Sequence, residues 1–284
     1  MQIQPLKLGF AAEITGLDVR NGLDGATHCF IEEALRGYPV LCFRNQPIDD
    51  GHQQAFIQMF GPPFTTAATE ISGKGGLHPH LYDISTTDDE ARPVAADSMQ
   101  AVYLKANLLW HTDGTQVQPP LRVTALSART LPPVPPDTEY ADMRAAWDAM
   151  PEDKKSVIQG LRVEHSLSAS RAKIGLTKLS DETLAKRPPV VQPLVRTHAS
   201  GRKSIYLSSH ASHVIGMPAE ESHRLLQELE VFATQRRFVY SHAWRPHDLL
   251  LWDDSCTMHR ATEYKEPYPR RMRWSGALER AATV

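Results

Sequence analysis

The stretch Asp248-Leu-Leu-Leu-Trp-Asp-Asp-Ser-Cys-Thr-Met-His259 decides the fold of this chain. It opens with a short apolar run, which predicts a strand buried within a sheet. The polar residues that follow predict a turn, after which the chain returns to a histidine. The stretch therefore predicts a β-hairpin that carries His259 towards a site between two sheets. The alternative for His259 is a core histidine that a backbone carbonyl satisfies.

Short strands and a few helices are predicted on both sides of this hairpin. Apolar runs predict strands at 39–43, 121–127, 204–207 and 237–240, and residues 6–19 alternate loosely as short strands do. Periodicity and end signals predict helices at 27–38, 50–60, 142–150, 152–161 and 218–235. Short strands joined by proline-rich turns, with helices at the periphery, predict a mostly β fold built from two sheets.

The composition is that of a folded chain with one domain. Of 284 residues, 41% are hydrophobic and 23% are charged, which permits a sizeable core. No linker marks a boundary, so we expect residues 1–284 to form a single domain. Residues 62–106 have few periodic apolar positions and include the stretch Gly73-Lys-Gly-Gly76. Because long irregular segments in compact domains are often functional loops, we expect an active-site lid there.

The same numbers disfavour several classes of protein. A formal net charge of −2 argues against a nucleic-acid partner. No apolar run approaches the length of a membrane span, and the first residues lack the apolar segment of a signal peptide. The three scattered cysteines fit neither a disulfide framework nor a zinc motif, so we expect a cytoplasmic protein. The 13 histidines leave metal chemistry open.

The tripeptide His111-Thr-Asp113 is a candidate metal-binding motif. Side chains two residues apart on a strand end point to the same side, so an imidazole and a carboxylate can reach one ion. With a distant histidine such as His259, they would form the 2-His-1-carboxylate triad of non-haem Fe(II) oxygenases. The alternative for the tripeptide alone is a surface turn capped by the aspartate.

A cluster of arginines lies near the C-terminal end, in Pro269-Arg-Arg-Met-Arg-Trp274. Arginines on a strand that enters a β core are costly to bury unless they bind an anion. The cluster therefore favours an anion site. The alternative is a solvated edge strand, whose charges discourage pairing with another chain.

Together these residues resemble the taurine dioxygenase / 2,4-dichlorophenoxyacetate dioxygenase family of Fe(II)- and 2-oxoglutarate-dependent oxygenases. The resemblance covers nearly the whole chain and is closer to the aryloxyalkanoate branch. It is strongest in the stretches 107–113, 137–146, 193–198, 206–213 and 252–260. It implies a double-stranded β-helix, that is, a jelly-roll of the cupin kind with helices outside and the metal between the sheets.

The resemblance also implies the cofactors and the iron ligands. His111, Asp113 and His259 would bind Fe(II), and the enzyme would use 2-oxoglutarate and O2. A small organic substrate would be hydroxylated, with succinate and CO2 as coproducts. The carboxylate of Asp113 favours hydroxylation, because halogenating relatives carry a small residue at that position.

Three further residues would bind the cosubstrate by the same resemblance. Arg270 would pair with the distal carboxylate of 2-oxoglutarate, helped by the hydroxyl of Thr138. Asn107 would contact the cosubstrate or the substrate near the metal. The resemblance also implies a homo-oligomer.

The chain departs from the family where the substrate binds. Relatives often carry a second arginine at the position of Trp274, so an anionic substrate needs another partner. The alternative is that the aromatic residue indicates an uncharged or bulkier substrate. The candidate substrate contacts are Lys105, Arg271, Arg273 and Trp274. The family asparagine at the hairpin turn is Asp254 here, which adds a negative charge.

We expect an aromatic or aryloxyalkanoate carboxylate as substrate, with ether cleavage to a phenol and an oxo acid. One alternative is a sulfonate or sulfate-ester oxygenase, against which Trp274 counts. Another is a non-catalytic sensor that binds metal and 2-oxoglutarate. A third is a zinc hydrolase built on His210 and His213, which lacks an evident third ligand.

The remaining histidines receive simpler interpretations. We expect His165 and His198 to be hydrogen-bonded structural groups. His78 and His80 lie in the expected lid, where either is a candidate for substrate contact.

Overall fold

The computed structural model describes residues 1–65, 80–88, 90, 92–95, 97–176, 178–264 and 268–280. Part of the expected lid, including His78, lies outside the described residues. None of the helices in the described residues has the length and apolar character that crossing a membrane requires.

The described residues form fifteen strands. In chain order they are β1 (Gln2–Lys7), β2 (Ala11–Thr15), β3 (Val40–Phe43), β4 (Leu81–Ser85), β5 (Leu121–Thr130), β6 (Thr138–Asp142), β7 (Arg162–His165), β8 (Val190–Pro193), β9 (Val195–Thr197), β10 (Lys203–Ile205), β11 (Ala211–Val214), β12 (Val239–His242), β13 (Leu249–Asp253), β14 (Thr257–Ala261) and β15 (Arg271–Leu278). They make one seven-stranded sheet, two sheets of three strands and one of two.

Eight α-helices accompany these strands within the described residues. They are α1 (Gly25–Gly37), α2 (Asp50–Gln58), α3 (Met99–Ala106), α4 (Met143–Asp148), α5 (Glu152–Ile158), α6 (Leu167–Ala172), α7 (Asp181–Lys186) and α8 (Ala219–Ala233). The five helices predicted from the sequence are confirmed as α1, α2, α4, α5 and α8. The side chains of Asp24 and Asp49 accept backbone N–H groups of the first turns of α1 and α2, which fixes where those helices begin.

The predicted apolar strand is confirmed as β13, at the centre of the largest sheet. The strand order is β1-β2-β3-β13-β5-β15-β4, and neighbours run antiparallel except for β2 and β3. Leu249 and Leu251 pack into the core beneath α1 and α2, whereas Leu250 and Trp252 face the core between the sheets. A strand covered on both faces has no polar face, which explains its continuous apolar run.

The chain reverses after β13 as predicted, but the predicted β-hairpin is wrong. β13 pairs with β3 and β5 in the large sheet, whereas β14 pairs with β6 in the sheet β12-β6-β14, so the turn connects two sheets instead of two paired strands. The core between this sheet and the large one contains Tyr140 of β6, Trp252 of β13, and Met272 and Trp274 of β15. Two facing sheets with helices outside form the double-stranded β-helix that the sequence predicts. The turn between β13 and β14 joins the two sheets and brings His259 between them.

Regular structure also occurs where the sequence shows little periodicity. Residues 62–106 contain α3 and also β4, which is the edge strand beside β15. Asp83 interrupts the apolar pattern of β4 but pairs with Arg271 and Arg273, which are distant in sequence. Residues 166–191 contain α6 and α7, which have six residues each and are too short for periodicity to reveal.

Candidate active site

The three predicted metal ligands lie together between the sheets. Nε2 of His111 is 3.8 Å from Oδ1 of Asp113, and Nε2 of His259 is 3.6 Å from Oδ2 of the same carboxylate. Their ligand atoms all lie within 4.8 Å of one another, close enough to bind a single ion. Two imidazole nitrogens and one carboxylate oxygen match the donor set that non-haem Fe(II) prefers.

Backbone contacts hold both histidines in place. The main chains of His111 and His259 exchange two hydrogen bonds, with N···O distances of 2.9 Å and 2.7 Å. Nδ1 of His111 lies 2.7 Å from the carbonyl oxygen of Leu109. Since a carbonyl only accepts, Nδ1 carries the proton and the lone pair of Nε2 is left for a metal. The hydroxyl of Thr112 lies 2.9 Å and 2.8 Å from two backbone carbonyl oxygens, which anchors the residue between the ligands.

Neighbouring side chains orient the carboxylate of Asp113. The indole N–H of Trp274 donates to Oδ2 at 3.0 Å, and the hydroxyl of Thr124 lies 3.3 Å from the same oxygen. The backbone N–H of Asp113 donates to Asp254 at 3.4 Å. Burial and the negative charge of Asp113 raise the pKa of Asp254 well above its usual value. This shift favours the neutral form of Asp254, whereas the sequence predicts an added negative charge at this position.

Changing Trp274 to phenylalanine tests the contribution of the indole N–H. The ring should still pack against Phe64, whose centroid is 6.2 Å away, while the bond to Asp113 is lost. We expect Fe(II) affinity to fall about tenfold, because bonds that orient metal ligands are typically worth 10- to 100-fold. Anaerobic titration with Fe(II) measures this effect. The control is Trp147→Phe, outside the cavity, and equal affinities in both variants would rule out the orienting role.

The turn that follows Asp113 requires glycine. Gly114 has a φ of 68°, and a Cβ there would lie 2.1 Å from Cδ1 of Leu121 and 2.8 Å from its backbone nitrogen. The turn therefore permits the close approach of β5 to the metal ligands.

Replacing Gly114 with alanine should lower the free energy of unfolding by about 2–5 kcal/mol, because the change combines backbone strain with a steric clash. Urea denaturation measures it. The matched control is Gly160→Ala, where a Cβ meets nothing within 4 Å and we expect a change below about 1 kcal/mol. Equal losses in the two variants would contradict this account.

Aromatic side chains enclose the ring of His259. The ring stacks on Tyr140 at 5.9 Å between centroids and lies 4.7 Å from Trp252. Tyr140 pairs directly with His259 in the β6–β14 register and is fully buried. Tyr140 is a site residue that the sequence alone does not identify. Its position was not predictable, since it depends on the pairing of two strands far apart in sequence.

Arg270 and Thr138 both line the cavity beside the ligands. Arg270 is 6% exposed, and its buried Nε has no hydrogen-bond partner among the described residues. Burial lowers the pKa of Arg270 to about 10, so the group is still charged at neutral pH. Oγ1 of Thr138 accepts the indole N–H of Trp244 at 2.9 Å, which leaves its own O–H as a donor. A cation with a neighbouring hydroxyl is a suitable site for a carboxylate.

The other predicted contacts divide into two groups. Asn107, at the C-terminal end of α3, lines the cavity, as does Trp274. Lys105 is exposed, and Arg271 and Arg273 pair with Asp50 or Asp83; none of the three lines the cavity. Side chains alternate along β15, so positions 272 and 274 face inward and positions 271 and 273 face outward.

The remaining histidines divide in a similar way. His198 is hydrogen-bonded to Ser204 at 2.8 Å, as expected. The expectation for His165 is wrong, because neither of its buried ring nitrogens has a hydrogen-bond partner in the described part of the chain. Among the described residues, His210 and His213 do not belong to a metal-ligating group. His80 contacts Thr65 at 3.1 Å and does not line the cavity.

A second buried cluster has side-chain atoms that could ligate a metal ion, but its role is structural. Cys42, His242 and Asp248 lie within 4.8 Å of one another. The Asp248 carboxylate already forms an ion pair with Arg44 and accepts from the backbone N–H of Arg245 at 2.8 Å. Because its charge is already compensated, the cluster needs no metal ion.

The cavity beside the ligands has an aromatic wall. Its aromatic lining residues are Phe64, Tyr82, Tyr103, Trp252 and Trp274. They are contributed by the segment before β4, by β4 itself, by α3, and by the inner faces of β13 and β15. A flat apolar ligand therefore has rings to pack against close to the metal ligands.

A jelly-roll with two histidines and one aspartate at such a cavity defines a non-haem, metal-dependent oxygenase. Residues 2–275 match the family described as taurine catabolism dioxygenase TauD, TfdA family, and the chain belongs to that family. It is therefore an Fe(II)- and 2-oxoglutarate-dependent dioxygenase that uses O2 and acts on a small molecule.

Individual relatives are similar over almost their full length. The chain is 40% identical to an alpha-ketoglutarate-dependent 2,4-dichlorophenoxyacetate dioxygenase of Cupriavidus pinatubonensis, covering 98% of this chain and 97% of the relative. It is 34% identical to an (S)-phenoxypropionate/alpha-ketoglutarate-dioxygenase of Sphingobium herbicidovorans, covering 97% and 94%. The crystal structure of AAD-2 with Mn(II) and N-oxalylglycine superposes with a TM-score of 0.91 at 39% identity, covering both chains completely.

Proposed function

We propose that this dioxygenase oxidises a small aryloxyalkanoate carboxylate and thereby cleaves its ether bond. The observation that carries the proposal is the cavity, which combines an aromatic wall with the buried guanidinium groups of Arg171 and Arg270. An aryloxyalkanoate carries both an aromatic ring and a carboxylate. The similarity to phenoxyacetate and phenoxypropionate dioxygenases supports this substrate class.

His111, Asp113 and His259 would hold the iron in this proposal. Their donor set and the protonated Nδ1 of His111 fit the ion. When bound, iron couples the oxidative decarboxylation of 2-oxoglutarate by O2 to the hydroxylation of a substrate C–H bond. The protein supplies only three ligands, which leaves positions open for the cosubstrate and O2.

Arg270, Thr138 and Asn107 would hold 2-oxoglutarate. The charged guanidinium of Arg270 would pair with the distal carboxylate, and the hydroxyl of Thr138 would donate to the same group. The indole of Trp244 fixes the direction of that hydroxyl by donating to its oxygen. Asn107 lies at the cavity wall, where its amide can contact the cosubstrate or the substrate.

The products follow from where the substrate is hydroxylated. One atom of O2 enters succinate, and the other replaces C–H by C–OH on the carbon between the ether oxygen and the carboxylate. The resulting hemiacetal loses the proton of the new hydroxyl, and its bond to the ether oxygen breaks. The ether oxygen takes up a proton and leaves as a phenol, while the carbon becomes the carbonyl of an oxo acid.

Two measurements test the proposal. Anaerobic addition of Fe(II) and 2-oxoglutarate should produce a charge-transfer band in the visible range. Succinate release in air is then measured with a panel of phenoxyacetate, 2-phenoxypropionate, cinnamate, taurine and an alkyl sulfate. We expect stimulation by the aryloxy acids, with the phenol and the oxo acid formed in equal amounts.

Each alternative gives a different result. Stimulation by taurine or the alkyl sulfate alone would replace the substrate class with sulfonates or sulfate esters. A band without stimulated turnover would favour a sensor that binds metal and 2-oxoglutarate. Without a band in iron-loaded protein, the assignment of the three ligands would fail.

The organisation around the site is part of the same proposal. Residues 1–284 would act as one domain, with residues 62–106 as the active-site lid; Phe64 and Tyr103 of that segment already line the cavity. We also propose a cytoplasmic homo-oligomer. Light scattering tests the oligomeric state, and limited proteolysis with and without 2-oxoglutarate tests the lid, since closure should slow cleavage there.

A further inference from the structure

A buried arginine of α6 contributes a positive charge to the cavity wall. Arg171 is 5% exposed and lines the cavity. Its NH1 donates to the hydroxyl of Ser170 at 3.2 Å, and its guanidinium carbon lies 4.5 Å above the centre of the Tyr103 ring. No carboxylate of the described residues pairs with it. Burying a charge without a counter-ion is costly, so the site is suited to a ligand that brings a negative charge.

The cosubstrate does not supply that charge. In the proposed function, one carboxylate of 2-oxoglutarate lies at the metal and the other pairs with Arg270. Both negative charges of 2-oxoglutarate are then used, and Arg171 still has no partner. The cavity therefore has one more buried guanidinium than its cosubstrate can neutralise, which leaves Arg171 for the substrate.

Hydrogen bonds connect Arg171 to the metal ligands through short steps. The hydroxyl of Ser170 lies 3.2 Å from that of Ser209. The backbone N–H of Ser209 donates to the carbonyl of Trp110 at 3.1 Å, and Trp110 directly precedes His111. The helix that carries Arg171 therefore adjoins the segment that carries His111, and both residues line the same cavity. The reacting carbon of an aryloxyacetate is bonded to its carboxylate, so such an anion has to bind close to the metal.

The other candidates for this role are already engaged or lie elsewhere. The indole N–H of Trp274 is used by Asp113. Arg187 also lines the cavity, but it is less buried than Arg171 and donates to the carbonyl of Thr65 at 3.0 Å. Arg271 and Arg273 form ion pairs outside the cavity.

We propose that Arg171 binds the carboxylate of the substrate and makes the enzyme selective for anionic substrates. The inference rests on the proposed function. The planar guanidinium can donate two parallel hydrogen bonds to a carboxylate, and stacking on Tyr103 holds its plane. The aryl ring of the substrate would then pack against the neighbouring aromatic wall.

The test compares phenoxyacetate with the neutral 2-phenoxyacetamide. Their dissociation constants are measured anaerobically from the change in the absorption band of the Fe(II)–2-oxoglutarate enzyme, and KM and kcat from succinate release. The variants are Arg171→Met, which removes the charge, and Arg171→Lys, which keeps it without the planar fork. The control is Lys173→Met, which removes an exposed positive charge two residues away.

Arg171→Met should weaken phenoxyacetate binding about 10- to 100-fold, the range for charge-assisted hydrogen bonds. Binding of the amide and of 2-oxoglutarate should change less than about threefold. The affinity of Arg171→Lys for phenoxyacetate should lie between those of wild type and Arg171→Met. This variant provides the test if Arg171→Met does not fold. The Lys173→Met control should match wild type.

Two results would overturn the inference while leaving the proposed function intact. In the first, the variant (Arg171→Met, or Arg171→Lys if Arg171→Met does not fold) keeps the wild-type preference for phenoxyacetate over the amide. In the second, its affinity for 2-oxoglutarate falls as much as its affinity for phenoxyacetate. If wild type itself responds to none of the aryloxy acids, the proposed substrate class fails first and the inference fails with it.

Discussion

Replacing His111 with alanine should reduce turnover by about a thousandfold or more and abolish the charge-transfer band of the Fe(II)–2-oxoglutarate enzyme. The bonds that merely orient metal ligands are typically worth 10- to 100-fold, so loss of a ligand should exceed that range. Two of the three donor atoms would remain, those of Asp113 and His259, and these should bind the ion more weakly than three. We expect the iron content after desalting to fall with the activity.

The matched control is His213→Ala. His213 is a half-buried histidine outside the cavity, in contact with Ser212. It should keep the band, the iron content and the turnover of wild type. If His111→Ala retained the band, His111 would not be a ligand. If both variants lost it, the effect would come from folding rather than from coordination.

The site was predictable where short-range sequence fixes geometry. His111 and Asp113 are two residues apart at the end of an extended segment, so their side chains project to one side. His259 follows an apolar run and a polar turn, which together predict a reversal of the chain. The structure brings these three residues together as predicted, and Arg270 and Thr138 lie at the cavity beside them.

The role of Trp274 could not be predicted from its neighbours in sequence. Alternation along β15 can show that position 274 faces inward while 271 and 273 face outward. It cannot show that an indole N–H meets Asp113, since that contact spans 161 positions and depends on the register of β15 against β5. Arg271 and Arg273 were predicted to contact the substrate, which would require their side chains to face inward from β15. They face outward instead.

Arg171 was missed for a related reason. It lies in a stretch with a polar pattern, and α6 is only six residues long. Its burial comes from the packing of that short helix against the segment around Ser209, not from an apolar stripe of its own. In such a segment a single arginine looks solvated, and its position on the cavity wall becomes evident only from the tertiary structure.

Arg270→Met should weaken the binding of 2-oxoglutarate without lowering the stability of the apo protein. Loss of the charged pair with 2-oxoglutarate should raise the dissociation constant about 100-fold or more, because hydrogen bonds to charged groups contribute about 1.5–3 kcal/mol each. The apo protein should be as stable as wild type or more so. Its buried cation has no partner in the described structure and an orphaned Nε, and an apolar side chain of similar length removes that cost.

Anaerobic titration with 2-oxoglutarate measures the first effect, and urea denaturation of the metal-free protein measures the second. The control is Arg271→Met, next in sequence but exposed and paired with Asp83 outside the cavity. It should bind 2-oxoglutarate like wild type and change the free energy of unfolding by less than about 1 kcal/mol. A marked loss of stability in Arg270→Met would mean that Arg270 supports the fold. Unchanged 2-oxoglutarate binding would assign the anchor to another cation of the cavity, and Arg171 would be the first to test.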